Sequence, residues 1–233
     1  MQVATISPHA TVARGIAPVT GRVAQPDPLD LLEQFGTTIR LQRDQEVHAE
    51  GDPADYCYRV LSGCVRSVRL LEDGRRQVGE FLLAGDMFGL DVIGTHDLSA
   101  EVVSDAVLRR YPRRMVEALA EGRPLLARRL HALALGNLRL AHERLVMLGR
   151  KTASERIASF LMEMDRRLGR QKPPVLDLPM CRTDIADHLG LTVETVCRVL
   201  AHMKRDGMVA ITRTGVELRD RAALRALACD VRH

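Results

Sequence analysis

The chain has 233 residues, 46% of them apolar and 3% aromatic, with no tryptophan; this suffices for one large domain or two ordinary ones. No apolar run approaches the length of a membrane span, and the opening MQVATISPHATVARG lacks the charged start and apolar core of a secretion signal, so a cytoplasmic protein outside the membrane is expected. Net charge is +4; residues 1–150 hold 19 Lys/Arg against 19 Asp/Glu, and residues 151–233 hold 15 against 11. The excess sits in the C-terminal third, which suits a polyanion-binding module beside a neutral one, although an ordinary solvated surface has the same balance. Five cysteines without paired short spacing fit reduced thiols better than a disulfide framework.

Residues 1–28 carry Pro8, Pro18, Pro26 and Pro28 among small residues and read as a flexible tail. Residues 29–36 suggest a short helix. From Arg40 to Tyr111, β-like runs such as YCYRVLSG, CVRSVRLL and QVGEFLL alternate with turn signals. Asp73-Gly74 is a hairpin signal, and Gly51, Gly63, Gly74, Gly85 and Gly89 punctuate the segment. Many short strands at regular spacing predict a sandwich or rolled barrel over 29–122.

From Pro124 to about Leu148 the period becomes helical. Leu126, Leu130, Leu133, Asn137, Leu140, Arg144 and Met147 follow spacings of four and three, the seam of a coiled coil with an Asn to fix register. A second stripe, Ala134, Leu138, Ala141, Leu145 and Leu148, lies beside it. One stripe can pack on the β domain while the other meets a second copy, and the first is taken as the dimer interface. A helix buried within one subunit is the plainer alternative. The predicted dimerisation helix spans 123–150.

Residues 152–169 predict another helix, with Thr152 and Glu155 at capping-box spacing and Gly169 at its stop. Lys172-Pro173-Pro174 reads as a linker, followed by an extended VLDLPM. In CRTDIADHLGLTVETVCRVLAHMKRDGMVAITRTGVEL, two helices cross at a tight turn. Ala186 is small where they meet, Gly190 permits positive φ, and Val196, Leu200 and Met203 face inward. Thr183 and Thr192 are placed as N-caps and Gly207 as the stop of the second helix. MVAIT and VELRD read as a two-stranded wing. The DNA-binding unit is predicted over 151–233.

Glu194 and Arg198 are four apart on the second helix and so share a face. Arginine can donate two bonds to guanine and Glu can accept from cytosine N4. Glu194, Arg198, Val193 and Thr195 are therefore candidate base readers. Arg182, Thr192, His202, Lys204, Arg205 and Arg213 are candidates for DNA phosphate. A simple Glu194–Arg198 ion pair along the helix is the alternative.

With these residues in place, the chain resembles the CRP/FNR superfamily of transcription regulators over about residues 30–220. LGLTVETVCRVL resembles the family's E-x-x-S-R recognition core, with Cys197 in the usual Ser position, and LAGDMFG (83–89) its P-G-D-x-F-G turn. PMCRTDIADHLGLTVETV is similar to the FixK branch, regulators of oxygen-limited and nitrogen-fixation genes. The resemblance implies an α+β architecture: an N-terminal β-roll of the cyclic-nucleotide-binding type, a long dimerisation helix and a C-terminal winged helix-turn-helix. It also implies a homodimeric activator on a TTGA-type palindrome in double-stranded DNA that recruits RNA polymerase.

Family members that bind cyclic nucleotides carry a Glu and, some ten residues on, an Arg after the F-G. Here 90–102, LDVIGTHDLSAEV, contains no Lys or Arg but three acidic residues, so no cyclic-nucleotide binding is expected. No Cys precedes Cys57, and Cys57 with Cys64 cannot supply four thiolates, so no iron–sulfur cofactor is expected; no metal-ligand spacing appears among the histidines. A ligand- or haem-gated regulator of the same fold is the rival reading. Cys181, beside Arg182 and before the first helix of the pair, is a candidate redox-regulatory residue; the branch resemblance supports that role. No catalytic motif is visible and no enzyme is expected. A nonspecific DNA binder would differ by a steep salt dependence and little preference between sites.

Overall fold

The computed structural model describes residues 27–90, 94–169, 175–212 and 215–228. The chain is organised as an N-terminal antiparallel roll, a long helix, and a helical C-terminal unit with its own small sheet.

A 3₁₀ helix, Pro28–Phe35, opens the roll, capped by Asp27, whose carboxylate accepts from Leu29 N–H at 3.1 Å. Arg129 also holds this carboxylate, keeping its pKa low. The last two residues of the expected tail are thus anchored, while residues 1–26 lie outside the described residues. The main sheet comprises β1 (Thr37–Leu41), β2 (Glu46–His48), β3 (Tyr56–Leu70), β4 (Arg76–Leu83), β5 (Met87–Phe88) and β6 (Ser99–Pro112). Its order is β1-β6-β3-β4, with β2 also on β6 and β5 on β3. All pairings are antiparallel.

YCYRVLSG and CVRSVRLL, two runs by sequence, are one 15-residue strand. Gly63 reconciles the two descriptions. It has φ +85°, and a Cβ there would lie 2.4 Å from the Asp105 carbonyl oxygen. A side chain is excluded, the register slips around it, and β3 bends without leaving β6. Asp73-Gly74 does close the β3–β4 hairpin, with Gly74 at φ +81°. Cys57 and Cys64 are fully buried, and burial pushes their thiols up to about 11 and about 12, as befits small apolar residues.

A helix unseen in the sequence, α1 (Arg113–Glu121), leads into α2 (Pro124–Arg150). The two stripes of α2 sort in the opposite sense from the expected one. Leu126 is fully buried, and Leu130 and Leu133 pack with it on Leu29, Leu32 and Tyr111 of the same chain. Arg144 reaches Glu80 on β4 at 3.9 Å, and Met147 packs on the C-terminal core. Asn137 and Leu140 are half-buried. The stripe taken as the dimer seam is therefore largely turned to its own subunit. Of the second stripe, Ala134, Leu138, Ala141 and Leu145 are left uncovered, Leu138 53% and Leu145 70% exposed, while Leu148 is half-buried. Both stripes have helical spacing; only the position of the roll decides which is covered.

The C-terminal unit contains α3 (Ala153–Arg167), β7 (Val175–Asp177), α4 (Arg182–Leu189), α5 (Val193–Arg205), β8 (Val209–Ile211), β9 (Gly215–Leu218) and α6 (Arg221–Ala228). The Thr152–Glu155 capping box forms as expected. The predicted two-stranded wing is a three-stranded sheet, β7-β9-β8, because VLDLPM supplies a strand. The Lys172–Pro174 linker lies outside the described residues. Helix α6, also unseen in the sequence, is tied to α3 by two 2.9 Å bonds from Arg221 to buried Asp165.

One apolar core spans the roll and this unit. Cys64, Val68, Val78 and Phe81 share a cluster with Ile157, Phe160, Met164 and Leu189. His188 is wedged there between Phe81 and Phe160, with Nδ1 3.3 Å from the Val78 carbonyl. Burial, reinforced by the Arg144 charge, holds its pKa down at about 4. The folded pKa lies below the unfolded value of 6.5, so this group's contribution is complete above that pH and is lost as pH falls towards 4, by about 3 kcal/mol in the limit. Urea unfolding between pH 7.5 and 5 should show this loss in the wild type and a flatter profile in His188→Leu. Parallel profiles would remove His188 as the cause.

Candidate nucleic-acid interface

Helix α5 begins where the sequence places it. The Thr192 hydroxyl accepts from Thr195 N–H at 3.2 Å, satisfying one of the free amides of the first turn. Val196, Val199, Leu200 and Met203 recur at helical spacing and are all buried, so α5 is pinned by one face. Gly190 makes the turn before it, in the left-handed region at φ +60°. Ala186, 2% exposed, meets α5 with only a methyl group, too small to hold the helices apart. Gly207, at φ +74°, follows the C-cap Asp206.

The opposite face is presented outward. Glu194, Cys197, Arg198, Ala201 and His202 are exposed, and Thr195 is half-exposed. Arg198 donates to Thr195 Oγ1 at 3.2 Å. Among the described residues no ion pair joins Glu194 to Arg198, so the intrahelical pair is not formed. Instead the Glu194 carboxylate is stabilised by its own backbone N–H and the Thr192 hydroxyl, which hold its pKa below the usual carboxylate range. The first turn thus offers an ionised acceptor and, one turn on, a guanidinium lightly held by a neutral hydroxyl, both facing away from the core. Val193 is half-buried against that core, leaving only part of it to such a surface.

Of the other candidates, Lys204 and Arg205 are exposed in the last turn of α5, and Arg182 is half-exposed at the start of α4. Among the described residues none of these three forms an ion pair. His202 contacts Asp206 at 3.1 Å. Arg213 lies outside the described residues.

Cys181 corrects one expectation. It, not Thr183, is the N-cap of α4: Sγ accepts from Asp184 N–H at 3.4 Å, and the Asp184 carboxylate returns to the Cys181 N–H at 3.3 Å. The thiol, which is exposed, also donates to Asp184 Oδ2 at 3.2 Å. Thr183 already lies inside the helix and faces solvent.

Two sets of contacts that position α4 and α5 have no signature in the sequence. Arg156 donates to the carbonyls of Leu148 (2.8 Å), Lys151 (3.0 Å) and Leu189 (2.8 Å), joining the end of α2 to the turn before α5. Arg66 and Arg76 of the roll reach Asp184 at 2.9 and 2.7 Å. Only the general excess of arginine hinted at such bridges.

The roll contains a cavity of about 430 Å³ between its strands and α2, lined by His48, Glu80, His96, Asp97, Leu138 and Arg144 among others. The His48 and His96 rings stack at 3.5 Å. Burial and the neighbouring His96 push His48 down to about 4, so it is neutral at pH 7. Among the described lining residues Arg144 alone supplies a fixed positive charge, and it comes from α2, not from the 90–102 stretch; residues 91–93 of that stretch lie outside the described residues.

Comparison with known proteins accords with this architecture. Residues 38–123 match the cyclic nucleotide-binding domain family and residues 155–227 the Crp-like helix-turn-helix domain family. The chain is 41% identical over 204 residues to the nitrogen fixation regulation protein FixK of Azorhizobium caulinodans, covering 86% of this chain and 82% of the relative. It is 42% identical over 185 residues to the FixK of Rhizobium meliloti, covering 78% and 83%. The structure of FixK2 from Bradyrhizobium japonicum superimposes with a TM-score of 0.80 at 43% identity, over 84% of this chain and 98% of that one. With its roll, long helix and capped helix pair in the same order, the chain belongs to the CRP/FNR superfamily of DNA-binding transcription regulators, in its FixK-like branch.

Proposed function

We propose that this protein is a homodimeric, sequence-specific transcription activator of the cytoplasm. Two copies meet along Ala134, Leu138, Ala141, Leu145 and Leu148. Each lays α5 in the major groove of one half of a TTGA-type palindrome, the halves about one helical turn (roughly 34–36 Å) apart. Glu194, Thr195, Arg198 and the exposed part of Val193 read bases. Arg182, Thr192, His202, Lys204, Arg205 and Arg213 hold phosphates. RNA polymerase is recruited to genes of oxygen limitation or nitrogen fixation; the FixK relatives are named for regulation of nitrogen fixation. The observation that carries this reading is the outward Glu194–Arg198 face on a helix capped at Thr192 and pinned from behind.

No small-molecule effector is required in this reading, and cyclic AMP is a poor match to the roll cavity because Glu80 lies 3.9 Å from its Arg144. The cavity itself favours the second reading, a regulator of the same fold gated by a ligand or haem. Selection from random DNA at physiological salt, with and without cyclic AMP, should yield one palindrome in both arms. Arg198→Ala should lose about 1–3 kcal/mol of discrimination at one base pair. Equal weakening on every sequence would identify a nonspecific binder, and binding only with an added effector would favour the gated reading.

We further propose that oxidation of Cys181 inactivates DNA binding. A sulfinate here would place a second anion against the Asp184 carboxylate and break the α4 cap, besides setting negative charge near DNA phosphate. After peroxide, a gel shift should lose the wild-type complex and keep that of Cys181→Ser, whose hydroxyl can still cap the helix. Equal loss in both would dismiss Cys181 as the switch; Cys197→Ser, run alongside, tests the other exposed thiol.

A further inference from the structure

Asp184 is 1% exposed and its two carboxylate oxygens are divided between two parts of the molecule. Oδ2 faces its own helix, receiving the Cys181 N–H and thiol. Oδ1 faces the roll, receiving Arg66 Nη1 at 2.9 Å and Arg76 Nη2 at 2.7 Å. Each arginine is itself held. Arg66 donates to Glu101 on β6 at 2.8 and 2.7 Å, and Arg76 donates to Asp187 at 2.9 Å. Gln77, next along the hairpin, donates to the Asp187 carbonyl at 2.7 Å. The β3–β4 hairpin thus grips one flank of α4 with directional bonds.

That grip bears on more than stability. The apolar core beneath it is non-directional and would tolerate a small rotation of one unit on the other. Charge-assisted bonds from planar guanidinium groups would not, since rotation leaves a buried carboxylate without its partners. Helix α4 is one short turn from α5, and the roll is fixed to α2 through Leu126, Leu130 and Leu133. The direction of α5 relative to α2 is set along this path.

We propose that Asp184, with Arg66 and Arg76, is a positioning site that sets the distance and angle between the two recognition helices of the dimer, and so selects the spacing of the operator's half-sites without an effector. This rests on the homodimer-on-palindrome reading above. The site acts through α5 and does not touch DNA.

The test uses the full chain and a series of duplexes whose half-sites are moved apart or together by single base pairs, with a duplex carrying one half-site as control. Arg76→Gln is the principal variant, because Arg76 lies on the roll, is the more exposed of the two arginines and leaves Arg66 on Asp184. Its preference for the best spacing over the neighbouring ones should fall about five- to tenfold, with single half-site affinity changed less than about twofold. Asp187→Asn should act in the same direction, and the double variant should be no worse than the more affected single one, the pattern of two residues serving one contact. An unaltered spacing preference in Arg76→Gln beside a sharp one in the wild type would overturn the proposal alone. A wild type indifferent to spacing would overturn the palindrome reading and the proposal with it. Equal loss on the single half-site and on all spacings would reduce the site to ordinary structural support and so also refute it.

Discussion

The roll and the helix-turn-helix are welded by a single apolar core. Phe81 and Val78 of the sheet meet Phe160 of α3 and Leu189 of α4 in one cluster. Burial provides the attraction between the two parts, because apolar area leaves water whichever angle they adopt. The angle is set by polar groups that the same burial has stripped of water. Removing one partner from a buried ion pair costs about 3–5 kcal/mol, whereas the intact pair contributes little net stability. Asp184, Arg66 and Arg76 are therefore better understood as determinants of geometry than as sources of stability.

The interface for nucleic acid rests on this platform but is built by short-range chemistry. Thr192 caps α5, Gly190 turns into it, and Val196, Val199, Leu200 and Met203 turn its other face inward. What remains outward is a carboxylate, a hydroxyl and a guanidinium within two turns. The fold alone would not assign them a task, since the same architecture hosts many functions. The assignment comes from their types and spacing on an exposed helix beside further cations.

The locally encoded features were legible in the sequence. The Thr152–Glu155 box, the Thr192 cap, the Gly190 turn and the Asp73-Gly74 hairpin each depend on residues within a few positions. Features that depend on distant partners were not. Arg66 and Asp184 are separated by 118 positions, and nothing in either neighbourhood names the other. The two stripes of α2 have the same period, so the pattern could not say which one the roll covers. Gly63 carries the signature of a turn but serves as a bend within one strand. Cys181 displaced Thr183 as a cap because sulfur is a weak acceptor that sequence rules pass over, and only the Asp184 contact makes it effective. VLDLPM was legible as extended, but its pairing with the distant β9 was not, and α6 was too short for its periodicity to speak.

The uncovered leucines of α2, Leu138 and Leu145 above all, have a quantitative corollary. Where pairing of chains is what covers them, the active species at low expression grows as the square of the number of chains, not in proportion to it. A threefold rise in synthesis then yields about a ninefold rise in paired molecules. Transcription and proteolysis of the regulator itself would be amplified by this stoichiometry, giving a steep output with no sensory input to the roll.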